Sequence, residues 1–167
     1  MMQQALYTIG KTCFVDIVGH ASAVPAKVDT GADSSSIWAT NISIDHDNVL
    51  HFTLFGEGSP FYTGEVIHAE TYKVAQVRSS TGHEQIRYRV SMAVRVGGKR
   101  IRATFNLSNR SRNEYSVLIG RRTLSGKFLV DVSQGESPKK VFNEQTINDE
   151  LKQNPRAFFE KYHSSQQ

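Results

Sequence analysis

The chain has 167 residues, of which 38% are hydrophobic and 22% charged, with a net charge of +4, and these values suit one globular domain with a buried core. No apolar run reaches the roughly 18 residues of a membrane-spanning helix, and no basic segment followed by an apolar one marks a secretory signal at the start. We therefore expect neither a membrane partner nor secretion.

Two short strands are predicted near the beginning of the chain. Residues 14–18 and 25–28 are mostly apolar, and Gly19 lies in the turn between them. Cys13, the single cysteine, precedes the first strand. Because one thiol permits no intrachain disulfide, Cys13 fits a packed strand residue in the reducing cytoplasm, where we place the protein.

Extended segments continue through the middle of the chain. Residues 49–55 and 66–77 both predict strands. Two glycines and a proline within residues 56–60 indicate a turn after the first of these strands.

An antiparallel hairpin is the clearest element of the sequence. Apolar and polar side chains alternate from Ile86 to Val96, the Gly97-Gly98 pair permits a tight turn, and residues 101–107 repeat the alternation. The predicted inner face contains Tyr88, Val90, Met92, Val94, Val96, Ile101, Ala103, Phe105 and Leu107, and the outer face contains Arg87, Arg89, Ser91, Arg95, Arg100 and Arg102.

Positive charge is concentrated around this hairpin. Residues 87–122 contain nine arginines and Lys99 against one acid, Glu114, which gives this segment a net charge of +9 and leaves −5 for the remainder. Such a polarised chain favours an acidic partner, either a nucleic acid or an acidic peptide.

The last elements are shorter. Residues 117–119 predict a buried strand, residues 120–124 a short helical turn, and residues 128–132 a final strand. From Ser133 the composition becomes polar, and a helix is predicted from about residue 148 to 162, although Pro155 complicates it. We therefore divide the chain into a β-rich domain, residues 1–132, and a polar C-terminal extension, residues 133–167.

The residues that carry chemistry follow the second strand. Asp29 lies at its end, Thr30 and Gly31 form a tight loop, and small residues continue to Ser36. Two carboxylates that face each other across one water can hydrolyse a peptide bond, because like charges at about 3 Å cannot both ionise and so share a proton. The charged member then acts as general base, and the protonated member donates to the carbonyl oxygen.

The second carboxylate must come from another molecule, because the chain contains a single Asp-Thr-Gly sequence. A twofold axis through the site supplies it, and isologous dimers are the commonest oligomers. The sequence therefore predicts an obligate homodimer with Asp29, Thr30 and Gly31 as catalytic residues. The alternative is a plain surface turn, since this tripeptide also arises by chance.

Several ordered segments resemble those of the retropepsin-like aspartic peptidases, and most closely a bacterial family that carries the label of ATP-dependent zinc protease. The resemblance extends from about Ile9 to Val132. Its segments are residues 26–32, 82–83 with 87–88, 97–98, 106–110, 118–124 and 126–131. It implies an all-β, closed or partly open acid-protease barrel with one short helix, and a peptidase activity.

The resemblance also assigns roles around the catalytic loop. Gly120 and Arg121 are expected to support this loop from behind, and Ala32 and Asp33 to bind substrate. Asp33 stands where the bacterial family has an arginine, but viral retropepsins carry an acid there, which implies an ion pair between Asp33 and Arg121. The alternative is two solvated charges. The interval from Asp29 to Arg121 exceeds that of compact viral enzymes, with the extra length between residues 43 and 71 and no role assigned to it.

A small, glycine-containing hairpin tip is expected to cover the substrate, as in retropepsins. The candidate is the segment 78–83, in which Ser79, Ser80, Thr81 and Gly82 are expected to bind substrate together with Arg87 and Arg89 of the next strand. A flexible tip permits the closure that excludes water from the two carboxylates. The alternative is an ordinary polar loop.

The bacterial family is associated with ATP-grasp ligases that append glutamates to a ribosomal protein. This association implies a glutamate-tailed peptide or protein as substrate and an ATP-grasp ligase as partner. The outer arginines of the hairpin suit such a substrate, because each guanidinium can bind a carboxylate through two hydrogen bonds. A solvated basic face with no ligand is the alternative.

The zinc-protease label finds no support in the sequence, and we expect neither a metal nor a cofactor. The six histidines are scattered without the spacing of a helical zinc site, and Asp45, His46, Asp47 and His51 form only a weak cluster. The competing function is a dimeric, non-catalytic module whose arginine face binds RNA or an acidic protein. No aromatic residues interleave on that face to stack bases.

Overall fold

The computed structural model describes residues 5–78, 81–136 and 144–163. Its strands are β1 (Tyr7–Gly10), β2 (Thr12–Ile17), β3 (Ala21–Val28), β4 (Ser35–Ile44), β5 (Leu50–Leu54), β6 (Val66–Ala69), β7 (Lys73–Arg78), β8 (Glu84–Val96), β9 (Lys99–Ser108), β10 (Val117–Ile119) and β11 (Phe128–Asp131). Helix α1 (Arg121–Leu124) lies between β10 and β11, and helices α2 (Glu144–Gln153) and α3 (Pro155–His163) follow. The chain divides into two compact units, residues 1–137 and 138–167.

Six strands of the first unit close into a barrel in the order β10-β3-β2-β8-β9-β4. Strand β4 pairs with β10, at Ile37 and Val117, and this contact completes the ring. Strand β7 adds to β8, strands β5 and β6 extend from β4, and β1 and β11 form a separate parallel pair. The architecture confirms the all-β barrel with one short helix that the sequence predicts.

The β8–β9 hairpin shows the predicted alternation. Val90, Val94 and Phe105 are buried in the core, whereas Arg95, Arg100 and Arg102 on the opposite face are exposed. Each large apolar side chain buried in this way contributes roughly 1.5–3 kcal/mol. The inner faces of both strands therefore meet one core, and the outer face remains basic.

Strand β4 was not predicted, because its first two residues are buried serines. Ser35 and Ser36 are 1% and 7% exposed, and hydrophobicity alone gives no reason for their burial. The Ser35 hydroxyl accepts a hydrogen bond from the Gly120 backbone N–H at 3.0 Å. Burial of a hydroxyl costs little when it is hydrogen-bonded. Polar partners, rather than an apolar face, therefore place this strand inside the barrel.

The segment predicted as one extended stretch, residues 66–77, forms two strands with different partners. Strand β6 pairs with β5, and strand β7 pairs with β8. The interval between residues 43 and 71, which carried no assigned role, is therefore built into the sheet that extends from β4. Its strand β5 contributes Leu50, Phe52 and Leu54 to the core.

The described part of the second unit, residues 144–163, contains two helices where one was predicted. Helix α2 begins at Glu144, earlier than the predicted residue 148, and Pro155 is the first residue of α3. The Asn154 side chain accepts a hydrogen bond from the Ala157 N–H at 3.1 Å, which caps α3. Proline fits this first turn because its missing N–H would have no helical partner there. None of the helices in the described residues is both long and apolar enough for a membrane span.

Candidate active site

The predicted catalytic loop begins where β3 leaves the barrel. Val28 ends β3 and lies beside Ile119 of β10 in parallel register, and the Asp29 N–H donates to the Ile119 carbonyl at 2.8 Å. Both Val28 and Ile119 are buried, with exposures of 8% and 0%. The apolar run of β10 therefore holds the backbone of Asp29 at the edge of the core.

The Asp29 carboxylate is oriented by its own loop. Its Oδ1 accepts hydrogen bonds from the N–H groups of Gly31, at 3.0 Å, and Ala32, at 3.2 Å. No described residue donates to Oδ2, so this oxygen remains available to a water or a second carboxylate. Asp29 is half-buried, whereas Thr30 and Gly31 are exposed.

Gly31 lies close to this carboxylate. A Cβ atom at this position would lie 3.3 Å from Asp29 Oδ1. The small residue therefore favours a loop that folds tightly under the acid.

The predicted supporting residue Gly120 packs directly against the catalytic loop. A Cβ atom on Gly120 would lie 2.5 Å from the Ser34 carbonyl oxygen and 2.9 Å from that of Ala32. The next residue, Arg121, donates its N–H to the Ala32 carbonyl at 2.8 Å. Any side chain at position 120 would therefore separate α1 from the loop.

A buried pair of hydroxyl groups joins the start of β4 to α1, and this contact was not predicted. The hydroxyls of Ser35 and Thr123 lie 2.6 Å apart, and both residues are almost fully buried. The only signal in the sequence is that Ser35 belongs to the small-residue run after Asp29 and Thr123 to the segment after Gly120. Their contact depends on the long-range pairing of β4 with β10.

The expected ion pair between Asp33 and Arg121 is present, with Arg121 Nη2 3.6 Å from Asp33 Oδ1. Arg122 lies closer, since its Nη2 is 3.0 Å from Asp33 Oδ2. Arg121 also donates from Nη1 to the Gly31 carbonyl at 3.2 Å. All three charged side chains are exposed, so each pair contributes at most about 1 kcal/mol. Their effect is to fix the loop against α1.

The expected hairpin tip joins β7 to β8. Arg78 lies opposite Glu84 at the end of the ladder, with Arg78 Nη2 3.3 Å from Glu84 Oε1. Ser79 and Ser80 lie outside the described residues. Thr81 and Gly82 are exposed, and Gly82 has a φ of +84°, which glycine adopts without strain. The tip thus connects two strands that are paired up to Arg78 and Glu84.

The two arginines assigned to substrate binding have different surroundings. Arg89 donates from Nε to Asn106 Oδ1 at 2.9 Å and from Nη2 to Ser34 Oγ at 3.0 Å. Arg87 donates from Nη2 to Gln85 Oε1 at 3.4 Å, along the same strand. Arg89 therefore connects β8 to the catalytic loop, which the alternation of the sequence alone did not indicate.

The basic segment is also crowded with like charges. The pKa of Arg110 is lowered by burial and by the positive charge of Arg87. Arg95 lies directly opposite Arg100 in the β8–β9 ladder, and Lys73 lies opposite Arg89 in the β7–β8 ladder. Cations opposed in this way destabilise a sheet unless an anion compensates them. Asp16 of β2 lies opposite Arg95 on its other side.

Histidines and acids form local pairs on another part of the surface. His51 Nε2 lies 2.6 Å from Asp45 Oδ2, and the rings of His51 and His68 meet edge to face at 4.4 Å between centroids. The pKa of Asp45 is lowered, first by the hydrogen bond from His51. Across the described ranges, no group of three or more His, Cys, Asp or Glu side chains is arranged to hold a metal ion.

A family model described as RimB-like, "Retropepsin-like aspartic endopeptidase RimB", matches residues 9–140. The matched segment contains the Asp29 loop, the β7–β8 and β8–β9 hairpins and α1. It therefore covers all the residues assembled above around the carboxylate.

Two curated relatives carry the name "Probable alpha-L-glutamate ligase". The protein from Shewanella pealeana is 31% identical over 124 residues, and that from Shewanella halifaxensis is 30% identical over 124 residues. Each match covers 67% of this chain and 25% of the relative. The chain thus spans about a quarter of the length of the curated relatives it matches.

A solved structure shares the fold. The crystal structure of a Legionella pneumophila protein of unknown function is 25% identical, with a TM-score of 0.61. The match covers 81% of this chain and all of that protein.

Proposed function

The chain belongs to the RimB-like family of retropepsin-like aspartic endopeptidases, and from this premise we propose that it hydrolyses peptide bonds as a homodimer, with one Asp29 from each subunit. The observation that carries the proposal is the geometry of the Asp29 carboxylate. Two backbone N–H groups hold Oδ1, while no described residue donates to Oδ2. An acid that is oriented by its own loop and open on one oxygen is suited to act on a water.

The proposed site is completed by a second subunit. One chain supplies a single Asp-Thr-Gly sequence, and its Thr30 and Gly31 are exposed beside the half-buried acid. A twofold axis beside Asp29 would bring the two free oxygens together. In that arrangement the exposed Thr30 hydroxyl is available to donate across the axis and to fix both loops.

The chemistry follows from two close carboxylates. One proton is shared, because both acids cannot ionise at about 3 Å separation. The ionised Asp29 takes a proton from the water, the water oxygen attacks the peptide carbonyl, and the protonated Asp29 donates to the carbonyl oxygen. Collapse of this intermediate breaks the C–N bond, and the amine leaves with a proton returned by the pair.

We propose that the substrates are acidic, with glutamate-rich segments. The curated relatives are named as glutamate ligases, and the outer face of the β8–β9 hairpin presents exposed Arg95, Arg100 and Arg102. Guanidinium groups bind carboxylates through paired hydrogen bonds. The proposed setting is the cytoplasm, with a glutamate ligase as partner.

The competing function is a binding module without peptidase activity. The exposed arginines of β9, Arg100 and Arg102, favour it, because an anion such as RNA phosphate binds to a basic face of this kind. Two results together would favour this module: the protein cleaves none of the peptides tried, and its affinity for RNA falls steeply as the salt concentration rises.

The test is the Asp29→Asn variant, with Asp47→Asn as matched control. Asp47 is an exposed turn residue outside the catalytic loop. Loss of the acid should reduce peptide cleavage at least about a hundredfold, the usual contribution of general acid–base catalysis, while Asp47→Asn cleaves normally. Equal activity of both variants would refute the peptidase.

A further inference from the structure

A cavity of about 440 Å³ lies beside the catalytic loop, on the side of Ser34 and α1. Its lining includes Ser34 of the catalytic loop, Arg122 of α1 and residues of β7, β8 and β9. Asp29 is not among the lining residues, whereas Ser34 of the catalytic loop is, so the cavity adjoins the proposed active site without including its acid. Its volume lies within the range of small-molecule sites.

The charge of this cavity is entirely positive. Lys73, Arg89, Arg102 and Arg122 line it, and none of its described lining residues is acidic. Asp33 pairs with Arg122 at 3.0 Å but is not part of the lining. Because Asp33 compensates Arg122, three cations, Lys73, Arg89 and Arg102, remain to repel one another around this volume.

Two of these cations are held in fixed positions. Arg89 is half-buried, and its bonds to Asn106 and Ser34 use Nε and Nη2 and leave Nη1 without a described partner. Arg102 donates from Nη2 to the Ser91 carbonyl at 3.3 Å. Guanidinium groups held in this way are already oriented, so little side-chain entropy is lost when a ligand binds.

Hydroxyl groups accompany the cations. Thr71, Ser91 and Thr104 line the cavity beside the arginines. Hydroxyl, guanidinium and ammonium donors together are the groups that bind phosphate oxygens in proteins. A site whose described lining offers several donors and no acid is therefore suited to an oxyanion.

We infer that this cavity binds a compact, multiply charged phosphate ligand of about the size of pyrophosphate. A phosphate group carries a charge of about −1.5 to −2 at neutral pH, so two linked phosphates balance the charge of Lys73, Arg89 and Arg102. Lys73 and Arg89 lie directly opposite each other on neighbouring strands. The Cβ atoms of residues paired in this way are about 5 Å apart, so one phosphate group can contact both side chains.

A glutamate-rich peptide fits this spacing less well. Side chains on the same side of an extended chain recur every two residues, or about 7 Å, and each carboxylate carries a single charge. The inferred ligand is therefore a small phosphate compound, and its site does not depend on the proposed peptidase activity.

The experiment is isothermal titration calorimetry of the full chain with pyrophosphate at low ionic strength. The unchanged protein is compared with the Arg102→Gln and Arg100→Gln variants. Both arginines are exposed on the same face of β9, but Arg102 alone lines the cavity. We expect saturable binding with one pyrophosphate per chain. Loss of one charge-assisted contact should weaken binding about tenfold or more in Arg102→Gln and leave Arg100→Gln close to the unchanged protein.

Two further arms separate this site from the proposed active site and from acidic peptides. Asp29→Asn should bind pyrophosphate normally even if it cleaves nothing, so the two proposals can fail independently. Absence of saturable binding, or equal weakening in both arginine variants, would overturn the inference. Tighter binding of a triglutamate peptide than of pyrophosphate, lost in Arg102→Gln, would overturn it as well, because the cavity would then bind peptide carboxylates.

Discussion

Arg89 of β8 and Ser34 of the catalytic loop are joined by a hydrogen bond of 3.0 Å from Nη2 to Oγ. The same guanidinium donates from Nε to Asn106, which is 4% exposed. The Arg89 side chain therefore connects two parts of the molecule. One is β8, the strand that follows the hairpin tip, and the other is the loop that carries Asp29. We therefore propose that Arg89 positions this loop.

The coupling between Arg89 and Ser34 can be measured as a double-mutant cycle. Arg89→Gln should lower the free energy of unfolding by about 1–3 kcal/mol, because it leaves the buried Asn106 oxygen without its donor. Adding Ser34→Ala should cost less in the Arg89→Gln background than alone, with a coupling of at least about 0.5 kcal/mol. Urea unfolding measures all four proteins. Strictly additive effects would show that the contact contributes nothing.

Peptidase kinetics give a second measure of Arg89. A displaced loop should lower kcat more than it raises KM, since the contact positions the acid rather than binding peptide. Arg89→Lys should restore little activity, because a single ammonium cannot contact Ser34 and Asn106 in the fork geometry of arginine. A change confined to KM would contradict the positioning role.

Gly120→Ala tests the contact between α1 and the catalytic loop. The added Cβ would lie 2.5 Å from the Ser34 carbonyl oxygen, so backbone must move, at a cost of about 1–3 kcal/mol. Gly120→Ala should therefore lower the midpoint of thermal unfolding. The control is Ser125→Ala, at an exposed residue nearby, which should change this midpoint little. Equal midpoints for the two variants would show that the loop and α1 separate freely.

The thiol of Cys13 should be unreactive in the folded protein. Burial raises its pKa to about 11, so between pH 7 and 9.5 the fraction of reactive thiolate stays small. Labelling with a chromogenic disulfide should be slow in native protein and rapid in urea. Because the pKa is raised, folding favours the neutral thiol. This adds to the free energy of unfolding below the pKa of the unfolded thiol, and the addition is lost as the pH rises to about 11.

Labelling at pH 8 that is as fast in native protein as in urea would contradict this assignment. Such a result would place Cys13 in solvent rather than against the core.

Peptide cleavage should persist after treatment with EDTA and dialysis. The proposed chemistry uses two carboxylates and one water and requires no metal ion. Loss of activity with EDTA, with recovery on addition of zinc, would contradict the account of the active site.

The outer arginines should matter more for acidic than for neutral substrates. Combined replacement of Arg95 and Arg100 by Gln should slow cleavage of a polyglutamate peptide more than that of a neutral peptide, because the charge-assisted contacts are lost only with the acidic chain. Competition between the two peptides in one reaction measures the ratio directly. Equal slowing of both substrates would remove the proposal of acidic specificity.

Local periodicity predicted the β8–β9 hairpin and its two faces, because one face is buried and the other charged. Strand β4 escaped prediction because Ser35 and Ser36 are buried by hydrogen bonds rather than by apolar packing. The division of residues 66–77 into β6 and β7 was not predicted, because it depends on tertiary pairing: β6 pairs with β5, and β7 pairs with β8.

The candidate site was predictable to the extent that it is local in sequence. Asp29 and Gly31 are neighbours in a short motif, and the resemblance supplied Gly120 and the pairing of Asp33 with Arg121. The contact of Ser35 with Thr123 and that of Arg89 with Ser34 join residues 88 and 55 positions apart. Such contacts depend on strand register, which the sequence pattern does not specify.

Mixing intact protein with Asp29→Asn protein tests the shared active site most directly. If each site needs one acid from both subunits, then after subunit exchange at equal amounts only about one quarter of the dimers have two acids. Peptidase activity per dimer should then fall to about one quarter of that of the intact protein, and across mixing ratios it should follow the square of the intact fraction. A linear dependence, with half the activity at equal amounts, would contradict the account, because each subunit would then work with its own Asp29 alone.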